Sequence, residues 1–249
     1  MPGRRTYRTR AIVLDRTKLA EQDLILTLLA ADGSQVRAVA KGARKPGGRL
    51  AARVELFCET DFLLAAGRSL DVVSEAQTVE PHVALRGDYE RVAAASAVAE
   101  VARLTCYEDA PDGFLRPICS RALRACEEAA DRAHLDLVVA AYAMKMLAHG
   151  GWRPELAGCC ACGDPAVSYF SAAAGGVLCA SCAREVARAR ELSKPQVAWL
   201  RALLGLTFDE LLAAQIDAET EIALLGTAHV WAATHLDARL RATEFYLGL

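Results

Sequence analysis

The chain has 249 residues, 53% of them hydrophobic with alanine prominent, only 6% aromatic, and a formal net charge of −2. That length suits one large domain or two to three small ones. No stretch approaches the roughly 18–20 uncharged apolar residues of a membrane span, which argues against an integral membrane protein and for a soluble one. The near-zero net charge singles out no partner, but its distribution does. Residues 1–53 hold twelve Lys/Arg against four Asp/Glu, whereas the remainder holds 17 against 27. A basic end on an acidic body points to a polyanion as the partner of that end.

The N-terminus is basic, with Arg4, Arg5, Arg8 and Arg10, and lacks the apolar segment of a signal peptide. From there to about residue 80 the pattern is that of short strands, predicted at 9–14, 24–29, 36–40, 57–64 and 70–77. Asp32-Gly33 supplies the tight-turn chemistry between the second and third. Between the third and fourth runs Lys41-Gly-Ala-Arg-Lys-Pro-Gly-Gly-Arg49, a basic loop without an acidic residue and expected to be flexible. Five short strands in about seventy residues suit a small closed barrel, and an OB-fold is the leading candidate.

Pro81 marks a change of texture, and helical spacing takes over from residue 84. Helices are predicted over 89–107, 118–130 and 134–149. The last has Leu135, Val138, Val139, Tyr142 and Met146 as its buried stripe, and Gly150-Gly151 ends it. Ser193 with Pro195 signals a helix start, Thr207 to Glu210 fits a capping box, and a final helix is expected over 219–236. The architecture expected is therefore α+β and multidomain: a five-stranded OB-fold barrel at 1–80, then an α-helical domain at 81–249.

Inserted between those helices, at about 157–184, lies the most specific motif of the chain. Cys159 and Cys162 form one CxxC pair, Cys179 and Cys182 a second, and sixteen residues separate them. Two such turns can direct four thiolates at one point, the ligand set of a structural tetrahedral Zn2+ site. Disulfides would need an oxidising compartment, and scattered buried thiols would not explain the paired spacing. Cys160, between two predicted ligands, is read as a spectator. His149, at a helix end, is read as a cap rather than a ligand. Cys58, Cys106, Cys119 and Cys126 are expected to be reduced, buried thiols of a cytoplasmic protein.

Signatures of catalysis are missing. There is no GxxxxGK[ST], GxGxxG, GxSxG or HExxH, and no histidine is followed two residues later by the glutamate of a zinc deaminase. Four cysteines also close the metal shell, whereas a catalytic zinc keeps an open position. The expectation is a non-enzymatic protein. Its active chemistry is then electrostatic: Arg8, Arg10, Arg37, Lys41, Arg44, Lys45 and Arg49 are the predicted phosphate contacts. They would neutralise phosphates with little sequence preference, because only Tyr7, Phe57 and Phe62 are nearby for stacking. The bland alternative is a solvated basic face on a zinc-stabilised protein-interaction adaptor.

The order of these pieces resembles the RecO family of bacterial recombination mediators over nearly the whole length. Arg10-Ala-Ile-Val-Leu14 is similar to that family's first strand. Asp23-Leu-Ile-Leu-Thr-Leu-Leu29, Asp32-Gly33 and Val36-Arg-Ala-Val-Ala-Lys-Gly-Ala-Arg44 resemble its second and third strands with the basic loop. Gly151-Trp-Arg-Pro-Glu-Leu156 before Cys159, Gly175-Gly-Val-Leu-Cys179 with Cys182, and His235-Leu-Asp-Ala-Arg-Leu-Arg241 with Phe245 resemble the zinc module and closing segment. The family often has Lys-Ser where this chain reads Arg241-Ala242, and some members lack the zinc ligands. The resemblance implies an OB-fold, a helical domain carrying the zinc module, and a DNA repair and recombination role in the RecF pathway. It implies binding of single- and double-stranded DNA and annealing of complementary strands. It also implies partnership with RecR and with the C-terminal tail of single-stranded-DNA-binding protein, so that RecA can load, in the cytoplasm at the nucleoid.

Overall fold

The computed structural model describes residues 5–249, so Arg4 lies outside the described residues. Its contacts divide the chain into two compact units, Met1–Glu127 and Glu128–Leu249.

The first unit is built on five strands: β1 (Thr6–Leu19), β2 (Asp23–Ala30), β3 (Gln35–Ala40), β4 (Glu59–Ala65) and β5 (Asp71–Glu80). They close into a barrel in the order β1-β2-β3-β5-β4, with β3 and β5 parallel and the other pairs antiparallel, the topology of an OB-fold. β1 makes closure possible. Its first half pairs with β4 and its second with β2, and an irregularity between Val13 and Asp15 bends it from one to the other. Alternate residues fill the interior, among them Val13, Leu24, Leu26, Leu28, Phe62 and Leu64. Four consecutive residues, Ala11 to Leu14, are buried where alternation would expose two, because helix α2 (Tyr89–Thr105) covers the outside of β1 and β2. Most of the buried residues of α2 are alanines, which lets the helix lie close to the barrel.

A one-turn helix, α1 (Val83–Arg86), precedes α2, and α3 (Leu115–Glu128) follows it. His82, buried and in the left-handed conformation, places its Nδ1 2.7 Å from a Glu127 carboxylate oxygen. Arg116 on α3 pairs with the buried Glu59 of β4 at 2.6 Å. These contacts join the helices to the barrel.

The turn between β2 and β3 is a second anchor. Asp32 accepts hydrogen bonds from the Ser34 N–H (2.9 Å) and hydroxyl (2.6 Å), which hold its carboxyl below its ordinary range. Gly33 has φ +85°, and a Cβ there would lie 1.7 Å from the Asp112 carbonyl oxygen. Both the dihedral and the close approach require glycine. Gly33→Ala should therefore destabilise the protein by about 3 kcal/mol, from backbone strain and a clash with a backbone group that cannot swing away. The urea midpoint measures it, and an unchanged midpoint would show that this approach is not made.

In the second unit α4 (Arg132–His149) is buried nearly all round, packing against α6 (Lys194–Gly205), α7 (Phe208–Leu212) and α8 (Ala218–His235). The expected stripe of Leu135, Val138, Val139, Tyr142 and Met146 is inside, together with Leu137, Ala140, Ala141 and Met144. Ser193 and Thr207 cap α6 and α7, each with a complete capping box. Lys145 of α4 donates to the Leu204 and Leu206 carbonyls at 3.1 and 2.6 Å, supplying donors at the end of α6. Burial holds its pKa below the ordinary lysine value.

The last helix, α9 (Arg241–Leu247), is tied down by a polar cluster. Arg132 donates to Asp136 at 2.7 Å and to the Tyr246 carbonyl at 2.9 Å, its guanidinium stacks 3.9 Å from the Tyr246 ring centroid, and the Tyr246 hydroxyl donates to Asp136. Hydrogen bonding with Asp136, then burial, push the Glu221 carboxyl up to about 7 from its ordinary 4.5. A carboxyl that keeps its proton longer when folded favours the folded state at low pH. Its contribution is complete below pH 4.5 and fades as pH rises to about 7. Glu221→Gln should thus flatten the fall in urea midpoint across that window, and a fall as steep as wild type would place the proton elsewhere.

Between α4 and α6 lies a small three-stranded sheet, β7-β6-β8, from β6 (Val167–Ser171), β7 (Gly176–Cys179) and β8 (Arg190–Glu191), with a one-turn helix α5 (Ala180–Ala183) after β7. Arg201 of α6 donates through Nε to the Leu156 carbonyl at 2.8 Å and holds this module against the helices. No described helix is long and apolar enough to cross a membrane.

Candidate metal centre and nucleic-acid interface

The two CxxC turns meet. Cys159 and Cys162 come from the turn before β6, and Cys179 ends β7, one residue before the short helix that bears Cys182. The turn is shaped by backbone bonds: the Gly163 N–H donates to the Cys159 carbonyl (2.8 Å), and the Cys159 N–H to the Asp164 carbonyl (2.9 Å). Gly163 takes φ +81° to complete it. The four sulfurs lie within 4.8 Å of one another, a group that can hold a metal ion. Hydrogen bonding at the Cys179 backbone, ahead of that at Ala161 and Cys162, pulls the Cys159 thiol down to about 6. The Cys182 thiol is pushed up, first by its hydrogen bond with Cys162. A cation held between the sulfurs would favour the thiolate form of all four.

Cys160 is not among the four. Its N–H donates to the Val177 carbonyl at 2.9 Å, and its thiol is raised by burial. Cys58, Cys106, Cys119 and Cys126 are buried and form no disulfide. Burial pushes the Cys126 thiol up to about 12.

The predicted phosphate contacts divide into groups. Lys41, Lys45 and Arg49 line a groove of about 780 Å³ between the β3–β4 loop and β5. Arg8 and Arg10 line a second groove, of about 910 Å³, across β1, β4 and β5. Arg44 lines neither. It turns back and donates to the Ala20 and Glu21 carbonyls at 3.3 and 2.8 Å. Arg37 sits on β3 opposite Thr27 and also lines neither. The strand ends at Ala40, so Lys41 leaves it and belongs to the loop.

The sequence predicts a flexible loop here, and the structure corrects that expectation. Besides the Arg44 tether, the Gly42 N–H donates to Asp23 at 2.7 Å and the Arg44 N–H to the Gln22 carbonyl at 2.9 Å. Successive turns then lead into a short 3-10 segment at Ala51–Val54. Glycine and proline here build turns rather than slack.

The sequence reading omits one basic residue. Arg53 lines both grooves, and its guanidinium donates to the Ala76 carbonyl at 3.0 Å. A signal exists, because the stretch from Gly33 to Val54 holds no Asp or Glu, so the acid-free run around Lys41 extends through Arg53. The arginines of the second groove are paired. Arg10 makes two hydrogen bonds to Asp61, at 2.8 and 3.2 Å, which keep the Asp61 carboxyl below its ordinary range, and Arg8 lies 3.4 Å from Glu75.

Comparison with known proteins adds a family to this geometry. Residues 3–82 match the model of the Recombination protein O N terminal, and residues 86–244 that of the Recombination protein O C terminal. A protein named DNA repair protein RecO from Bifidobacterium longum subsp. infantis is 40% identical over 176 residues, which span 70% of this chain and 72% of that one. Its namesake from a Roseiflexus species is 39% identical over 182 residues, 72% of this chain and 63% of the relative. Another from Bifidobacterium adolescentis is 38% identical over 182 residues, 70% and 73% of the two chains. The two matched models follow each other in order along most of the sequence, the first on the barrel strands and the second on the helices with the cysteine module, and the chain belongs to the Recombination protein O family.

Proposed function

We propose that this protein is a non-enzymatic mediator of DNA repair and recombination. It binds single- and double-stranded DNA on the barrel, anneals complementary strands, and helps RecA load onto DNA covered by single-stranded-DNA-binding protein. RecR and the C-terminal tail of single-stranded-DNA-binding protein are its proposed protein partners, and the cytoplasm its proposed compartment. One observation carries the reading: an acid-free run on a closed OB barrel sets Lys41, Lys45, Arg49 and Arg53 around one groove. Such a surface can neutralise phosphates and lower the repulsion between two backbones. Annealing needs no proton transfer or nucleophile. The chain then needs nothing beyond cations and shape.

We infer further that the metal is zinc, in a structural role. A tetrahedral ion with sulfurs at about 2.3 Å holds them roughly 3.8 Å apart. Cys162 Sγ and Cys179 Sγ are 3.8 Å apart. A set of four thiolates suits zinc, and it leaves no open position for substrate. Zinc would clamp the turn before β6 to the end of β7.

The test is annealing of complementary oligonucleotides by the full-length protein, with and without single-stranded-DNA-binding protein. Acceleration in both conditions is expected. Partner binding without any annealing would support a zinc-stabilised adaptor instead.

A further inference from the structure

The two grooves on the barrel are separate in lining but share a seam. Arg53, Glu75 and Ala76 belong to both. On one side stand Lys41, Lys45 and Arg49 of the loop, which outnumber the carboxylates Asp23 and Glu75 in the same groove. On the other, Arg8 and Arg10 alternate along β1 and face outward, each in a row across three strands: Arg8, Leu63, Glu75 and Arg10, Asp61, Gln77. The two arginines are thus about 6.8 Å apart along the strand, twice the axial rise per phosphate of one DNA strand.

We propose that the groove over β1, β4 and β5 takes a second nucleic-acid strand beside the one held at the Lys41–Arg53 loop, with the two backbones meeting at Arg53. This rests on the annealing reading above. The pairing of Arg8 and Arg10 gives the second site its character. Asp61 and Glu75 stand where phosphates would, as internal counterions. The ion pairs are exposed, with side-chain exposures of 46% and 43% for Arg10 and Asp61 and 71% and 65% for Arg8 and Glu75, so they add little to folding and are open to exchange. A strand entering this groove must displace carboxylates from two ion pairs, whereas the loop groove sets Lys41, Lys45, Arg49 and Arg53 against two carboxylates, Asp23 and Glu75, and keeps cations in excess. The loop side therefore fills first. The second strand binds weakly until base pairing with the first adds to its affinity, and a non-complementary strand is released. Arg53, anchored to the Ala76 carbonyl at 3.0 Å, puts a fixed positive charge at the line where the two phosphate chains come closest.

The experiment uses the full-length protein and a dye-labelled single-stranded oligonucleotide, with its complement added second. Arg8→Ala/Arg10→Ala should leave the first-strand Kd within about twofold of wild type while slowing annealing by about tenfold or more. Asp61→Asn, which alters the second groove alone, should act in the opposite sense, taking up a second, non-complementary oligonucleotide at several-fold lower concentration, with slower strand release. Equal loss of first-strand affinity and annealing in the arginine variant would mean one continuous groove and overturn the proposal. Unchanged annealing would overturn it too. A wild-type protein that bound no oligonucleotide would bring down the parent reading with it, whereas normal binding and annealing by the arginine variant would remove this inference alone.

Discussion

Lys41→Glu/Lys45→Glu should weaken binding of single-stranded DNA by about thirtyfold to a hundredfold in moderate salt. It should also flatten the salt dependence by a slope of roughly 1.4 in the log–log plot, two phosphate contacts at about 0.7 each. Both side chains line the loop groove and stand on turns held by hydrogen bonds to the Asp23 carboxylate and the Gln22 carbonyl, so reversing them changes the potential without unfolding the loop. Arg44 provides the contrast. Its guanidinium is engaged with the Ala20 and Glu21 carbonyls, so Arg44→Ala should lower affinity only by loosening the loop, and its salt slope should remain that of wild type. A fluorescence-anisotropy titration across salt concentrations separates the two effects. Wild-type affinity in the Lys41/Lys45 variant would remove the loop from the DNA site. An Arg44 slope that dropped by a full contact would mean that the tether is released when DNA binds.

The contrast between Lys41 and Arg44 also shows where sequence reading stops. The five barrel strands and most helix bounds can be read from alternation, capping residues and glycine placement, because those signals act over a few residues; β6 to β8 carry no such signal. The early end of α2 at Thr105 and the early start of α3 at Leu115 are the kind of shift that tertiary packing imposes. Charge can be counted but not aimed. Nothing local distinguishes Arg44, which bonds back to its own barrel, from Lys45, which lines the groove. Arg37 looks equivalent to Lys41 by period two, yet the strand ends between them. Arg53 stands just past the glycine-rich stretch and acquires its place only when the 3-10 segment brings it against β5. The carboxylates opposite Arg8 and Arg10 come from β5 and β4, 67 and 51 residues away, so their pairing follows from barrel register alone. The cysteines are the opposite case. The CxxC spacing is itself the geometry, and four sulfurs within 4.8 Å are what it demands.

Removing those sulfurs should have the largest effect on folding. Cys179→Ala/Cys182→Ala deletes the whole second pair, and neither position has a neighbouring thiol to substitute, as Cys160 could for Cys159. The variant should carry no zinc by elemental analysis, where wild type should carry one ion per chain. A structural zinc site of four thiolates is worth on the order of 10 kcal/mol of local folding free energy. The module's own buried cluster is small, Cys159 and Cys179 with Leu178 and Ala183, so it has little to fall back on. The sheet from β6 to β8 should therefore lose its amide-exchange protection, and the melting transition of Glu128–Leu249 should drop by well over ten degrees or broaden. Chelation of wild-type protein should reproduce this and be reversed by added zinc. Cys160→Ala should leave metal content and melting temperature as they were. The grooves of the barrel use no residue of the module, so affinity for single-stranded DNA should stay within about twofold of wild type. A variant that retained zinc would break the ligand assignment. One that lost zinc but kept its protection pattern would show that β6 to β8 hold together without the clamp, leaving the ion a role in contacts made by the module's surface rather than in its fold.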